Sequence, residues 1–268
     1  MALRIAAILL MFIGFSAKSV ELGGNLTQGG LVRGTLAQGE QLRLNGESVR
    51  VAEDGQFIIG FGRDAELTHV LTITGVDGTT RMVPLTLTPR DYHIQRIEGI
   101  TQRIMQPVAA DVARAQEDAI KARSARELND ERLDWQQAFI WPLHGRITGV
   151  YGSQRFYNGE PRSPHYGIDI AAPTGTPVIA PAAGLITLAE PDMFYSGGTL
   201  IIDHGFGVSS TLLHLHKLLV QPGERVTQGQ VVGLVGATGR ATGPHLDWRM
   251  NWLNERVDPT FLVPTMPK

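Results

Sequence analysis

The chain has 268 residues, 43% of them hydrophobic, which is enough to build the core of one large domain or two modest ones. Its 24 lysine and arginine residues are nearly balanced by 26 aspartate and glutamate residues. It therefore lacks a broad positive field, and nucleic acid is not an expected partner. The absence of cysteine excludes disulfides, thiolate chemistry and cysteine-bound zinc, so a transition-metal site must use His, Asp and Glu.

Residues 1–19 have the pattern of a secretory signal peptide. Arg4 precedes an apolar run over residues 5–15, and the small residues Ala17 and Ser19 follow it. The run is shorter than the ~20 residues that a membrane-spanning helix needs. We predict export to the periplasm or cell envelope, with no stable membrane insertion after signal removal. The alternative is an N-terminal helix that is buried or anchors the chain to a membrane.

Residues 20–100 read as a small antiparallel β-sandwich-like domain. Apolar and polar residues alternate on both sides of Asn45 and Gly46, a pair typical of tight hairpin turns. His69 and His93 stand apart from other metal-binding side chains, which favours structural or surface roles. We expect this domain to bind another molecule, to act as a spacer or to cover another surface.

Residues 101–140 change in composition to Ala, Arg, Glu, Asp and Gln, with no glycine and a single proline. Apolar residues recur near helical spacing, and Glu117 with Lys121 forms a favourable i,i+4 pair. The segment is predicted to be a helical linker with a solvated face. A helix that binds a partner is the alternative.

Residues 141–264 are rich in glycine and proline and are predicted to form an all-β domain. The expected strands are short and cover residues 178–180, 184–188, 199–203, 208–213, 225–226 and 231–235.

Three short segments of this region each hold two metal-binding side chains: His165 and Asp169, His214 and His216, and His245 and Asp247. In a strand, side chains two residues apart point to the same side, so each of the last two pairs is expected to share a face. One such pair alone is weak support for a site. Three pairs in one region of a chain with eight histidines indicate a common metal site.

Further motifs occur in a recognisable order: His-x3-Asp at 165–169, Ala-Pro-Thr-Gly-Thr-Pro at 172–177, Asp-His-Gly at 203–205, His-Leu at 214–215, Pro-Gly at 222–223 and Gly-Pro-His-Leu at 243–246. With them, residues 142–264 resemble the lysostaphin-like (LytM, M23) zinc metallopeptidases, which cut peptide bonds in bacterial peptidoglycan. For this segment, the resemblance implies a lysostaphin-like all-β peptidase domain. With the two preceding segments, the expected chain is mainly β: a small N-terminal antiparallel β-sandwich-like domain, a connecting α-helix and the C-terminal peptidase domain.

The resemblance also implies roles for single residues. His165 and Asp169 match the first two zinc ligands, whereas His214 and His245 match active-site histidines that do not bind zinc. The family's third ligand is a histidine, but this chain has Asp247 at that position. Because zinc accepts carboxylate oxygens, three ligands and an open fourth position for water remain. His216 is a candidate substitute ligand that ranks below Asp247.

Two carboxylates neutralise the formal charge of a divalent ion, where the usual family set leaves one positive charge. A less positive centre acidifies its water less and polarises a carbonyl less. We therefore expect weaker activity, or a preference for Mn²⁺ over Zn²⁺, because manganese favours oxygen ligands.

The function implied by the resemblance is an exported, metal-dependent endopeptidase that hydrolyses stem-peptide cross-links in peptidoglycan. His214 or His245 is expected to accept a proton while the other stabilises the oxyanion. The alternative is a weak or inactive relative that binds peptidoglycan and activates another wall hydrolase. The N-terminal domain and helix are expected either to cover the groove until a regulatory envelope protein moves them or to dock the enzyme.

Overall fold

The computed structural model describes residues 20–99 and 109–266. The predicted signal peptide, residues 1–19, lies outside these ranges. Within them, none of the helical segments combines the length and the apolar composition needed to cross a membrane.

The N-terminal region contains seven strands: β1 (Glu21–Gly24), β2 (Leu31–Thr35), β3 (Gln41–Leu44), β4 (Glu47–Val49), β5 (Gln56–Gly60), β6 (Thr68–Thr74) and β7 (Thr80–Thr86). They form two antiparallel sheets, with the orders β1-β2-β5 and β4-β3-β6-β7. The predicted hairpin joins β3 to β4, and both Asn45 and Gly46 adopt the positive φ that such a tight turn requires. Buried side chains from both sheets belong to one apolar cluster.

One α-helix is present among the described residues, α1 (Ala109–Ser124). Of the segment 101–140 to which the composition assigned the helix, residues 101–108 lie outside the described ranges, and the helix ends at Ser124, well before residue 140. After the helix the chain returns to the sheet, where Trp135 and Phe139 are buried and Trp135 packs on Phe206 with 5.2 Å between ring centroids. These two aromatic side chains anchor the last part of the segment in the core.

The remaining strands are β8 (Ile94–Ile97), β9 (Arg146–Gly149), β10 (Gln154–Tyr157), β11 (Glu160–Pro161), β12 (Gly167–Ala171), β13 (Pro177–Ile179), β14 (Gly184–Met193), β15 (Gly197–Asp203), β16 (Val208–Leu215), β17 (Lys217–Leu218), β18 (Arg225–Val226), β19 (Val231–Leu234), β20 (His245–Trp252) and β21 (Glu255–Val257). An eight-stranded sheet runs in the order β18-β14-β15-β16-β20-β12-β9, with β21 paired to β20. Smaller sheets have the orders β13-β19-β17 and β11-β10-β8.

The N-terminal and C-terminal regions share a core. Strand β8 precedes the helix, yet it pairs in parallel with β10 after it. Gly60 of β5 lies so close to Trp252 and Val257 that a side chain at position 60 would collide with them. Arg90 also reaches the buried Asp258, 2.6 Å away. The predicted fold class is confirmed: the chain is mainly β, with one helix between two β regions.

Candidate metal and catalytic site

The candidate site lies on one face of the eight-stranded sheet. Asp169 on β12 stands directly opposite Asp247 on β20, and Asp247 stands opposite Leu213 on β16. Directly opposed side chains of an antiparallel sheet share a face, and residues two apart in a strand do too. Asp169, Asp247 and Arg249 therefore project from the same face. We call it the site face.

His165, Asp169 and Asp247 form the cluster that best fits a metal ion. Each offers one nitrogen or oxygen, and these atoms all lie within 4.8 Å of one another. Nε2 of His165 is 3.2 Å from Oδ1 of Asp169, but this buried nitrogen has no hydrogen-bond partner among the described residues. A buried polar atom without a partner is costly, and a cation at this point would satisfy it. The donor set, one imidazole and two carboxylates, is one that zinc accepts.

Two glycines make room for the carboxylates. A Cβ atom on Gly149 would collide with the carboxylate of Asp169, and one on Gly167 would collide with Oδ1 of Asp247. Both glycines lie on strands that flank the cluster. Their lack of a side chain lets the carboxylates lie flat against the neighbouring backbone, which is a packing reason for glycine at these positions.

Arg249 holds the carboxylate of Asp247. Its Nε lies 3.1 and 3.0 Å from the two carboxylate oxygens, and its Nη2 lies 2.5 Å from Oδ2. Burial opposes ionisation of Asp247, but the charge and hydrogen bonds of Arg249 outweigh it and leave the pKa below its ordinary value. Each carboxylate oxygen has two acceptor positions, so the arginine leaves capacity for a metal. Its positive charge also offsets the extra negative charge that aspartate brings in place of histidine.

His214 and His245 lie beside this cluster, with 4.7 Å between their ring centroids. Nδ1 of His214 is 2.9 Å from the carbonyl oxygen of Thr238, and Nδ1 of His245 is 2.8 Å from that of Gly243. A carbonyl only accepts, so Nδ1 carries the proton in both rings and Nε2 is left open. Burial lowers the pKa of His214, which keeps this ring neutral near pH 7 and able to accept a proton.

The structure separates His214 from His216. His214 has a positive φ of 64°, which interrupts the alternation of side chains near the end of β16. His214 is buried, whereas His216 is exposed and follows the end of the strand. Among the described residues, His216 is therefore outside the metal-binding cluster.

Helix α1 packs on the site face. Arg249, Thr211, Ile201 and Leu188 form a row across the sheet, because each is paired with the next in register. Ala122 packs against the small cluster that contains Leu188 and Ile201. The helix therefore lies beside the site along the same sheet surface.

The sequence reasoning missed Arg249, although a signal was present. It stands two residues after Asp247, and strand periodicity places both side chains on one face. An opposite charge at that spacing on a buried strand predicts an ion pair. No local pattern indicated Thr238, whose carbonyl oxygen reaches His214 from a loop 24 residues away.

Comparison with known proteins agrees with this geometry. Residues 163–259 match the model of peptidase family M23, a range that includes all five candidate site residues. The peptidoglycan DD-endopeptidase ShyA of Vibrio cholerae is 39% identical over 106 residues, which are 39% of this chain and 24% of that protein. The DD-carboxypeptidase/endopeptidase Mpg of Neisseria meningitidis is 40% identical over 104 residues, which are 39% of this chain and 24% of that protein. The matches thus span about a quarter of the length of these curated relatives.

The likeness to one solved structure extends over nearly the whole chain. The crystal structure of a candidate M23 peptidase from Pseudomonas aeruginosa has a TM-score of 0.70 and 27% sequence identity. The match covers 89% of this chain and 95% of that one, so it includes the N-terminal β region and the helix. Together with the family match, it shows that residues 163–259 are similar to peptidase family M23 and that the fold of nearly the whole chain is similar to that of a candidate M23 peptidase.

Proposed function

We propose that this protein is an exported, metal-dependent endopeptidase that hydrolyses stem-peptide cross-links in peptidoglycan. The observation that carries the proposal is the convergence of His165, Asp169 and Asp247, with an unpartnered buried nitrogen on His165. The printed names of the relatives, peptidoglycan DD-endopeptidase and DD-carboxypeptidase/endopeptidase, support the substrate class. Export rests on the sequence pattern of residues 1–19.

In the mechanism, His165, Asp169 and Asp247 would hold the metal. A bound Zn²⁺ would supply Lewis-acid polarisation of the scissile carbonyl and lower the pKa of water. His214 accepts the proton at Nε2, because its Nδ1 proton is committed to Thr238 and burial keeps the ring neutral. His245 stabilises the developing oxyanion in its doubly protonated form, in which Nε2, 3.7 Å from Oδ1 of Asp169, is also a donor.

We propose zinc as the natural ion, with Mn²⁺ as the alternative that the two carboxylates favour. Weak activity was expected because aspartate adds a negative charge at the third ligand position. The Asp247–Arg249 pair removes part of that reason, because the pair has no net charge and in this respect equals a neutral histidine. Helix α1 is proposed to form one wall of the groove, since it packs on the site face beside the cluster. A regulatory envelope partner remains a prediction.

Metal analysis together with digestion of purified peptidoglycan tests the function. The mature protein is expected to contain about one zinc or manganese per chain and to release peptides. The Asp247→Ala variant is expected to lose both. A wild-type protein that binds peptidoglycan but stays metal-free and releases no peptide, even after metal is added, would favour the non-catalytic activator instead.

A further inference from the structure

Three arginines converge beside the candidate site, and they come from different parts of the chain. Arg249 is on β20, Arg256 is on β21 and Arg126 follows the end of helix α1. The three guanidinium groups are close enough to repel one another electrostatically. Arg249 has its counter-charge in Asp247, 2.5 Å away. For Arg126 and Arg256 there is no ion pair within the described part of the chain.

These two unpaired cations are also partly removed from water. Burial lowers the pKa of Arg126 to about 10, with further contributions from the neighbouring arginines. Burial lowers the pKa of Arg256 as well, and Arg249 adds to that effect. A half-buried cation among like charges is unfavourable unless an anion joins it. The cluster is therefore better suited to a bound anion than to an empty groove.

A cavity next to the cluster offers space for such a ligand. Its volume is about 640 Å³, within the range of roughly 300–1,000 Å³ that is typical of small-ligand sites. It is lined by residues 62–65 of the N-terminal region together with Ser163, Tyr166, Asn254, Glu255 and Arg256. The guanidinium of Arg256 lies 4.4 Å from the centroid of the Tyr166 ring, and Tyr166 directly follows His165. The cavity thus opens beside the candidate metal ligands.

The acidic side chains that line the cavity leave the guanidinium groups of Arg126 and Arg256 available to bind an anion. Asp64 is paired with Arg63, with 2.5 Å between nitrogen and oxygen. Glu255 is exposed, and its carboxylate lies against the backbone at Gly62. The ring face of Tyr166 fixes the plane of the Arg256 guanidinium without using its hydrogen-bond donors.

We propose that Arg256, which lines this cavity and stacks on Tyr166, binds a free carboxylate of the peptide substrate beside the candidate metal ligands, and that Arg126 adds positive charge to the same surface. Guanidinium groups match carboxylates through paired, charge-assisted hydrogen bonds, which are stronger than neutral ones. The inference rests on the proposed function, because it assumes a peptide substrate in this groove. It adds a specificity: the enzyme prefers peptides that carry a negative charge at this point over otherwise identical neutral ones.

The test uses two synthetic stem peptides of identical sequence, one ending in a carboxylate and the other in a carboxamide. The ratio of kcat/KM for the two peptides is measured with the metal-loaded full chain, and the ratio of their dissociation constants is measured by calorimetry with the metal-free chain. For the wild type, both ratios are expected to favour the carboxylate by about tenfold or more, as charge-assisted hydrogen bonds predict. Arg256→Gln is expected to bring both ratios close to one, Arg126→Gln to lower them, and Arg256→Lys to keep an intermediate preference.

The matched control is Arg43→Gln, which removes an exposed arginine of the N-terminal sheet that bonds only to the carbonyl oxygen of Gly46. It should leave both ratios unchanged. Equal kcat/KM values and equal dissociation constants of the wild type for the two peptides would overturn the inference. If neither peptide is hydrolysed but the binding ratio still depends on Arg256, the proposed function fails while the carboxylate site stands. Should Arg256→Gln fail to fold, the Arg126→Gln ratios decide.

Discussion

His69 of the N-terminal β region and the two candidate catalytic histidines of the peptidase region are held in opposite ways. In the N-terminal region, His69 uses both ring nitrogens: Nδ1 lies 2.8 Å from the side-chain amide of Asn45, and Nε2 lies 2.8 Å from the carbonyl oxygen of Glu66. In the peptidase region, His214 and His245 each bind a carbonyl through Nδ1 and leave Nε2 open. The difference teaches which histidines are available for catalysis: one ring nitrogen makes a hydrogen bond that fixes the ring, and the other nitrogen makes none.

The largest predicted effect is a loss of kcat on substitution of His214 that does not occur on substitution of His69. We expect His214→Asn to lower kcat by about 10²- to 10⁴-fold, the usual contribution of a general base, while metal content stays unchanged. Asparagine suits the positive φ of 64° at this position better than other replacements, so the loss reports chemistry rather than backbone strain. Kinetics on peptidoglycan fragments give the measurement. His69→Asn is the control, and an equal loss in both variants would refute the distinction.

The next largest effect concerns the residue that positions the unusual ligand. Arg249→Gln is expected to weaken metal binding by about 10- to 100-fold, the usual effect of losing a residue that orients a ligand. The reason is that Asp247 loses the bidentate contact that holds its buried carboxylate. Competition with a chelator measures the affinity, with Arg155→Gln, an exposed arginine, as control. Unchanged affinity would mean that the ion pair has only a structural role.

A third experiment tests whether nitrogen occupancy, rather than location, decides the role. His204 lies in the peptidase region, but its Nδ1 contacts the carbonyl oxygen of Ala183 and its Nε2 contacts the hydroxyl of Ser210. Burial lowers its pKa to about 4. Because the unfolded chain binds the proton first, stability should fall as the pH drops from about 6.5 towards 4, by about 2 kcal/mol between pH 7.5 and pH 5.

Urea unfolding at several pH values checks this effect. His204→Gln should flatten the dependence even where it lowers stability at every pH. The slope that remains is expected from His214, whose pKa is also lowered by burial. An unaltered slope in His204→Gln would show that other groups control the acid sensitivity.

The smallest effect on activity is expected from a substitution in helix α1, which is proposed to form one wall of the substrate groove. Ala122→Glu places a charge against Leu188 and Ile201 and should loosen the helix from the sheet. We expect KM to rise severalfold with little change in kcat. Ala119→Glu makes the same substitution at an exposed position of the same helix and should change neither. A fall in kcat alone would argue against a wall and for a direct effect on the catalytic residues.

Much of this architecture could be predicted from local patterns. Alternation and the Asn45-Gly46 turn predict the N-terminal hairpins, and motif order predicts the peptidase region together with the five candidate site residues. The return of the chain into the core at Trp135 could not be predicted in this way, because it depends on contact with the distant Phe206. The separation of His214 and His216 was missed since a positive φ inside a strand leaves no signal in the residue type.

The candidate site was likewise predictable from the sequence only in part. Its candidate ligands follow from the family resemblance, whereas its electrostatics depend on contacts across the sheet and between regions. Arg126 illustrates the point: it stands in a charged segment that suggests a solvated face, yet it is half-buried and close enough to Arg249 and Arg256 for their charges to lower its pKa. Only the packing of the helix on the sheet places it there.

The continuous core has a consequence for how the molecule comes apart. Trp252 and Val257 pack against β5, and β8 completes a sheet with β10, so neither region presents a finished surface without the other. Two parts with the composition of separate domains should therefore melt in one cooperative transition, with equal calorimetric and van't Hoff enthalpies. A fragment cut after the helix would expose apolar surface and aggregate, and the catalytic region is best produced with its N-terminal partner attached.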